Sequence, residues 1–256
     1  MQVWESVGLP AGLINMVQGG KQTGTALTGN PHVNGVLFTG SAVVGKAIHR
    51  ALAGRPETIL ALEMGGNNPL VVHEVADSGA AASVTALSAF ITSGQRCTCT
   101  RRLIVPVGKQ GDVFVDRLVE IAKNICVGVH TDDPEPFMGP VISDATADEL
   151  LAAQADLVAR GARILVEMKS LRGIKALLSP GIVDVTDVPD RSDEELFGPL
   201  LQVVRVSDFH AALEEANRTA YGLAAGLLSD NEELYEAFAR KVRAGVINWN
   251  HQTTGA

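Results

Sequence analysis

The stretch Thr58-Ile59-Leu60-Ala61-Leu62-Glu63-Met64-Gly65-Gly66-Asn67-Asn68-Pro69-Leu70-Val71-Val72 holds two short apolar runs parted by a Gly-Gly break. Each run has the length and residue types of a buried strand. Upstream of it, Ile14-Asn15-Met16-Val17 and Gly35-Val36-Leu37-Phe38 also read as strands. A helix from about Thr23 to Thr28 lies between them and a longer one runs from Ser41 to Ala53. Strands separated by helices predict parallel pairing through crossovers. One such series ends at the Gly-Gly break and another begins after it, so the boundary is expected there: a first domain over residues 1–66 and a second over 67–256.

The second series repeats the alternation. Asp77 to Ile91 predicts an Ala-rich helix, Arg102 to Val105 a strand, and Asp112 to Ile125 a helix with Val115, Leu118, Val119 and Ala122 at helical spacing. Asp144 to Arg160 predicts a helix with Ser143 as its cap and Gly161 just past its end. Ala162 to Val166 and Pro199 to Val206 predict strands, the latter buried on both faces. Ser207 opens a helix to Asn217, and Ser229-Asp230-Asn231-Glu232 is a capping-box sequence for a helix running to Gly245. Gly245 to Trp249 closes as a strand. The fold class expected is α/β.

Composition agrees. The 256 residues are 46% apolar and 20% charged, enough to bury a core. With 26 Gly and 4% aromatics, the balance favours α/β layers with tight turns over a sandwich. A net charge of −8 argues against a nucleic-acid partner. No apolar run approaches the roughly 18 residues of a membrane span, and Met1-Gln2-Val3-Trp4-Glu5 does not open like a secretory signal. Three cysteines suit a reducing cytoplasm and at least one free thiol.

Four segments carry candidate chemistry. Phe38-Thr39-Gly40-Ser41-Ala42-Val43-Val44-Gly45 joins a strand to a helix, where main-chain N–H groups and a Ser hydroxyl can hold a phosphate; the plain alternative is a Ser-capped helix. Cys97, in Ser93-Gly94-Gln95-Arg96-Cys97-Thr98-Cys99, follows a helix and adjoins Arg96, a setting in which a thiol ionises readily and attacks; the alternatives are a buried inert Cys or a metal pair with Cys99, although no second ligand cluster supports a metal. Cys126, at a helix end, is expected in the core. Glu63 ends a strand where open sheets place their sites, and partial burial would suit it to general-base work; the alternative is an exposed Glu paired with Arg. In Glu194-Glu195-Leu196-Phe197-Gly198-Pro199, Glu195 can accept hydrogen bonds from ribose hydroxyls and Phe197 can pack on a flat ring, or the pair of acids is a solvated loop.

Taken in order, these four segments resemble the aldehyde dehydrogenase superfamily over the whole chain. Glu63 precedes Cys97 by 34 positions, as that family requires. The resemblance implies part of a Rossmann-type cofactor domain followed by an α/β catalytic domain. It implies Cys97 as the nucleophile, Glu63 as the water-activating base, and NAD held by Gly40, Ser41, Ala42, Val43, Val44, Gly45, Glu195 and Phe197. Ala61 to Val72 and Ser93 to Leu103 narrow the likeness to a member acting on a small anionic semialdehyde, with Asn67 where most of the superfamily has Lys. No metal, nucleic acid or membrane partner is implied, and the whole enzyme is expected to be a homo-oligomer.

The same resemblance implies that both ends of such an enzyme are missing: an upstream segment with a second oxyanion donor and adenine-ribose contacts, and a closing C-terminal segment. A non-catalytic chain that binds only nucleotide or a partner is therefore an alternative. So is a thioester-forming acyltransferase or reductase, against which Glu63 argues. Arg96 adjoins the nucleophile and is the better partner for an anionic substrate. Arg101 and Arg102 are expected at the surface or in subunit contacts. The six His show no ligand spacing.

Overall fold

The computed structural model describes residues 2–255. They form two compact units, Met1–Met64 and Gly65–Ala256.

The first unit contains α1 (Gln2–Ser6), α2 (Lys21–Thr28), β1 (Gly35–Gly40), α3 (Ala42–Leu52) and β2 (Ile59–Met64). β1 and β2 pair in parallel, with Gly35 opposite Ile59 and Gly40 opposite Met64. The crossover between them is α3. The parallel pair is thus one step later in the chain than expected, because Ile14 to Val17 is not a strand. Those residues are exposed and carry no ladder; apolar side chains alone make no strand without a partner edge. Gly45 lets α3 come close to β2: a Cβ there would press on the Met64 thioether.

The second unit runs β3 (Asn68–Val72), α4 (Ser78–Phe90), β4 (Thr100–Pro106), α5 (Lys109–Lys123), α6 (Asp144–Ala159), β5 (Arg163–Val166), β6 (Ser170–Leu171), β7 (Ile174–Leu178), β8 (Gly181–Asp184), β9 (Leu200–Val206), α7 (Phe209–Ala216), β10 (Ala224–Leu228), α8 (Glu232–Lys241) and β11 (Val246–Trp249). Seven strands form one sheet in the order β11-β10-β3-β4-β9-β8-β5, parallel except for the antiparallel edge strand β5.

Alternate residues of the central strands point to opposite faces. Leu70, Val72, Leu103, Val105, Leu201 and Val203 pack under α4 and α5 with Phe90, Phe114 and Leu118. Val71, Ile104 and Leu227 pack on the other face with Ala212 and Ala216 of α7 and Phe238 of α8. Each such side chain contributes about 1.5–3 kcal/mol by leaving water. Covered on both faces, the central strands read as unbroken apolar runs.

The helix starts obey their caps. Asp77 accepts from the Gly79 and Ala80 N–H groups, and Ser143 from Thr146. Asp208 rather than Ser207 caps α7, and Asn231 rather than Ser229 caps α8. β6, β7, β8 and β10 lie where no strand is expected. β10 is Ala-Ala-Gly-Leu-Leu, poor in β-branched residues; Gly226 is required because a Cβ there would press on Leu70 and Thr253. No helix among the described residues is long and apolar enough to cross a membrane.

Candidate active site

In the first unit, Ser41 leaves β1 in extended backbone and caps α3, its hydroxyl accepting from the Val44 N–H at 3.3 Å. Helix geometry leaves the Ala42 and Val43 N–H groups without intrahelical acceptors, and Val43 is 80% exposed. Gly40, Ser41, Ala42, Val43, Val44 and Gly45 thus form a helix start with open donors. Glu63 sits beside it, one residue from the end of β2 and paired with Thr39. Its side chain is exposed, not partly buried as expected, because alternate residues of β2 face solvent in this unit.

In the second unit, α4 stops at Phe90 and the chain enters a tight turn, Ile91–Gly94. Thr92, Ser93 and Gly94 all take left-handed backbone, with φ of 53°, 56° and 69°. For Thr and Ser this costs about 1–2 kcal/mol each. Tertiary hydrogen bonds hold the turn. The Ser93 hydroxyl donates to the Gly139 carbonyl at 2.6 Å, and the Gln95 carboxamide oxygen accepts from the Ile142 N–H at 2.8 Å. The turn delivers Cys97 just ahead of β4.

Cys97 is half-buried and Cys99 is buried. Burial pushes the Cys99 thiol above its ordinary pKa, against the pull of the Arg101 charge. Of the two cysteines in this loop, Cys97 is the more accessible. Asn68, the first residue of β3, fixes its backbone: its Nδ2 donates to the Cys97 carbonyl at 2.7 Å and the Cys99 carbonyl at 2.9 Å, while its Oδ1 accepts from the Ala224 N–H. Arg96 is exposed, with its Nε on the Thr92 hydroxyl and the rest of its guanidinium outward.

Arg101 and Arg102 are 1% and 5% exposed, so neither is a surface residue as expected. Both begin a central strand, where the only way to bury a guanidinium is to surround it with acceptors. Arg102 donates to the Asn67, Glu215 and Ala216 carbonyls. Arg101 donates to the Gly94 and Arg96 carbonyls and to Glu195 Oε1 at 3.3 Å, and its Cζ lies 5.2 Å from the Phe197 ring centre. Glu195 and Phe197 are therefore brought to the Cys97 loop. Burial raises the Glu195 pKa, opposed by Arg101 and the Gly66 N–H. A Cβ at Gly65 would overlap the Glu195 carboxylate, and one at Gly94 would overlap the Gly198 carbonyl, so both glycines are needed for close approach.

Asn67 donates to Asp193 at 2.9 Å, and Asp193 also accepts from Thr219 and Ala220. Burial alone would raise the Asp193 pKa; the hydrogen bonds from Thr219, Ala220 and Asn67 outweigh it and lower it. Sequence reading passes over Asn68 and Asp193 and places Arg101 at the surface. The signal for Arg101 was present: two Arg open an otherwise apolar strand and must be paired if that strand is central. Cys126 is exposed, not in the core, because α5 ends at Lys123 and the chain leaves the packed face.

The second unit is thus a mostly parallel sheet with a half-buried Cys held ahead of a central strand and a carboxylate tied to the same loop through Arg101. The family model described as aldehyde dehydrogenase family matches residues 1–256, and the chain belongs to that family. It is 57% identical over all 256 residues to an N-succinylglutamate 5-semialdehyde dehydrogenase of Pseudomonas fluorescens, and 54% to one of Hahella chejuensis. It spans 52% of the length of each, about half of these curated relatives. Among solved structures, 1-pyrroline-5-carboxylate dehydrogenase from Thermus with bound NAD superposes with a TM-score of 0.89 at 32% identity, covering 100% of this chain and 50% of that one. Methylmalonate-semialdehyde dehydrogenase from Oceanimonas doudoroffii gives 0.90 at 26% identity, covering 97% and 52%.

Proposed function

We propose that this chain is the segment of an NAD-dependent aldehyde dehydrogenase that carries the nucleophile, the base and part of the cofactor site. The substrate is N-succinyl-L-glutamate 5-semialdehyde, oxidised to N-succinyl-L-glutamate in arginine catabolism. The names of the curated relatives support the substrate. The accessible Cys97, set apart from its buried neighbour Cys99, is the observation that most supports the chemistry.

The residues present fit NAD. The open N–H groups of Ala42 and Val43, with Ser41, Gly40, Val44 and Gly45 shaping the turn, suit phosphate oxygens. The Glu195 carboxylate suits ribose hydroxyls, and Phe197, 40% exposed, offers a ring face. The division at Met64–Gly65 agrees with a cofactor-domain portion followed by a catalytic domain.

Cys97 thiolate adds to the aldehyde carbon, and the carbonyl oxygen becomes an oxyanion that the Cys97 N–H can stabilise. NAD held by residues 40–45, Glu195 and Phe197 would supply the hydride acceptor for the oxidation, which leaves the acyl group as a thioester on Cys97. Glu63 takes a proton from water, the hydroxide attacks the thioester carbon, and the tetrahedral adduct collapses. The C–S bond breaks, Cys97 leaves as thiolate, and the acid is released.

The test is NADH formation from the semialdehyde. Cys97→Ser abolishes it. Glu63→Gln leaves a first burst but slows turnover about 100-fold or more, with acylated Cys97 seen by mass spectrometry. A folded sample whose Cys97 is alkylated readily yet forms no NADH refutes catalysis by this chain and favours a binding-only role.

A further inference from the structure

Arg101 heads the largest fully buried side chains among the described residues. Its fork reaches two segments far apart in sequence: the Gly94 and Arg96 carbonyls on one side, the Glu195 carboxylate and Phe197 ring on the other. Its Nε finds no acceptor among the described residues. An arrangement serving stability alone would gain from an apolar side chain of similar volume at such a place. The guanidinium instead does something apolar packing cannot, which is to hold two carbonyls and one carboxylate by hydrogen bonds from one side chain.

The other side of Glu195 is closed as well. Gly65 lies against its carboxylate where a Cβ would collide with it, and Asn67 anchors Asp193 two residues before it. Glu195 can thus move away only by leaving Arg101, and Arg101 also holds the carbonyl just before Cys97.

We propose that Arg101 is a positioning residue that locks the Cys97 loop to the Glu195–Phe197 segment, so that nucleophile and ribose-facing carboxylate are placed together. The ribose clause rests on the function proposed above for Glu195; the lock itself does not.

The test compares the 256-residue chain with Arg101→Lys, Glu195→Gln and the double variant. The first readout is the alkylation rate of Cys97 by iodoacetamide, resolved by peptide mass spectrometry, with exposed Cys126 as the internal reference thiol. Each single variant should change the Cys97 to Cys126 ratio about tenfold in the same direction, and the double variant no further than the larger single change. Additive effects, or a Glu195→Gln chain with an unchanged ratio, overturn the lock. If Arg101→Lys fails to fold, the near-isosteric Glu195→Gln decides alone, through that ratio and through amide exchange at residues 92–97, which should quicken; unchanged exchange and ratio overturn the proposal. NAD binding by calorimetry is the separate arm. Unchanged affinity in Glu195→Gln refutes the ribose contact and leaves the alkylation cycle to judge the lock.

Discussion

Arg96 and Arg101 stand five positions apart and illustrate two uses of one side chain. Arg101 is surrounded by acceptors, while Arg96 spends one nitrogen on Thr92 and presents the rest to solvent. The dicarboxylate semialdehyde proposed as substrate needs a cation near its reacting carbon, and Arg96 adjoins Cys97, the proposed nucleophile. Arg96→Ala should raise KM for the anionic semialdehyde about tenfold and leave KM for a neutral aldehyde of similar length nearly unchanged; steady-state kinetics with both substrates checks it, and equal increases remove the charge argument. Cys97, Glu63 and Glu195 stand out as candidates in the sequence because each lies in a short motif. The partners of Arg101 and Asn68 are not legible, because they lie 94 and 156 positions away; the two Arg opening an apolar strand signal only that acceptors must exist.

At the scale of elements, strands with β-branched residues and helices with caps could be read, and their bounds fall within a few residues. The failures share a cause. Ile14 to Val17 has strand-like residues and no edge to pair with, whereas Ala224 to Leu228 has weak strand residues and is covered on both sides. Pairing, not composition, decides both. β3 depends on its first residue as much as on its apolar run. Asn68 satisfies two carbonyls and one N–H, all near the nucleophile. Asn68→Ala should destabilise the second unit by about 3 kcal/mol, the penalty for buried groups left unpaired. Urea unfolding followed by circular dichroism measures this; a loss within experimental error would mean that water replaces the side chain.

At the scale of the molecule, the far edge of the large sheet is held by charge. Asp184, at the end of β8, accepts from Thr186, from Arg205 at 2.8 Å and from Arg163 at 2.9 Å. Burial would raise its pKa, but those hydrogen bonds outweigh it and the pKa falls below its ordinary value. A depressed carboxyl stabilises the fold above its unfolded pKa, and that contribution fades as pH falls through the folded one. Stability should therefore drop below about pH 4. Asp184→Asn should lose about 1–2 kcal/mol at neutral pH, the worth of charge-assisted hydrogen bonds weakened to neutral ones while Arg205 keeps Asp112 and Arg163 stays exposed, and show a shallower acid dependence. Urea midpoints across the acid range check both, and parallel curves for the two chains would clear Asp184 of the effect.

The three left-handed residues before Cys97 bear on how that sulfur can be studied. L-amino acids do not keep such a backbone on their own, and here Gly139 and Ile142, more than forty positions away, hold it. A synthetic peptide spelling out the motif would be a poor stand-in for the site. A label on the thiol, conversely, reports on whether the distant loop is still docked, which makes one atom a gauge of the surrounding architecture.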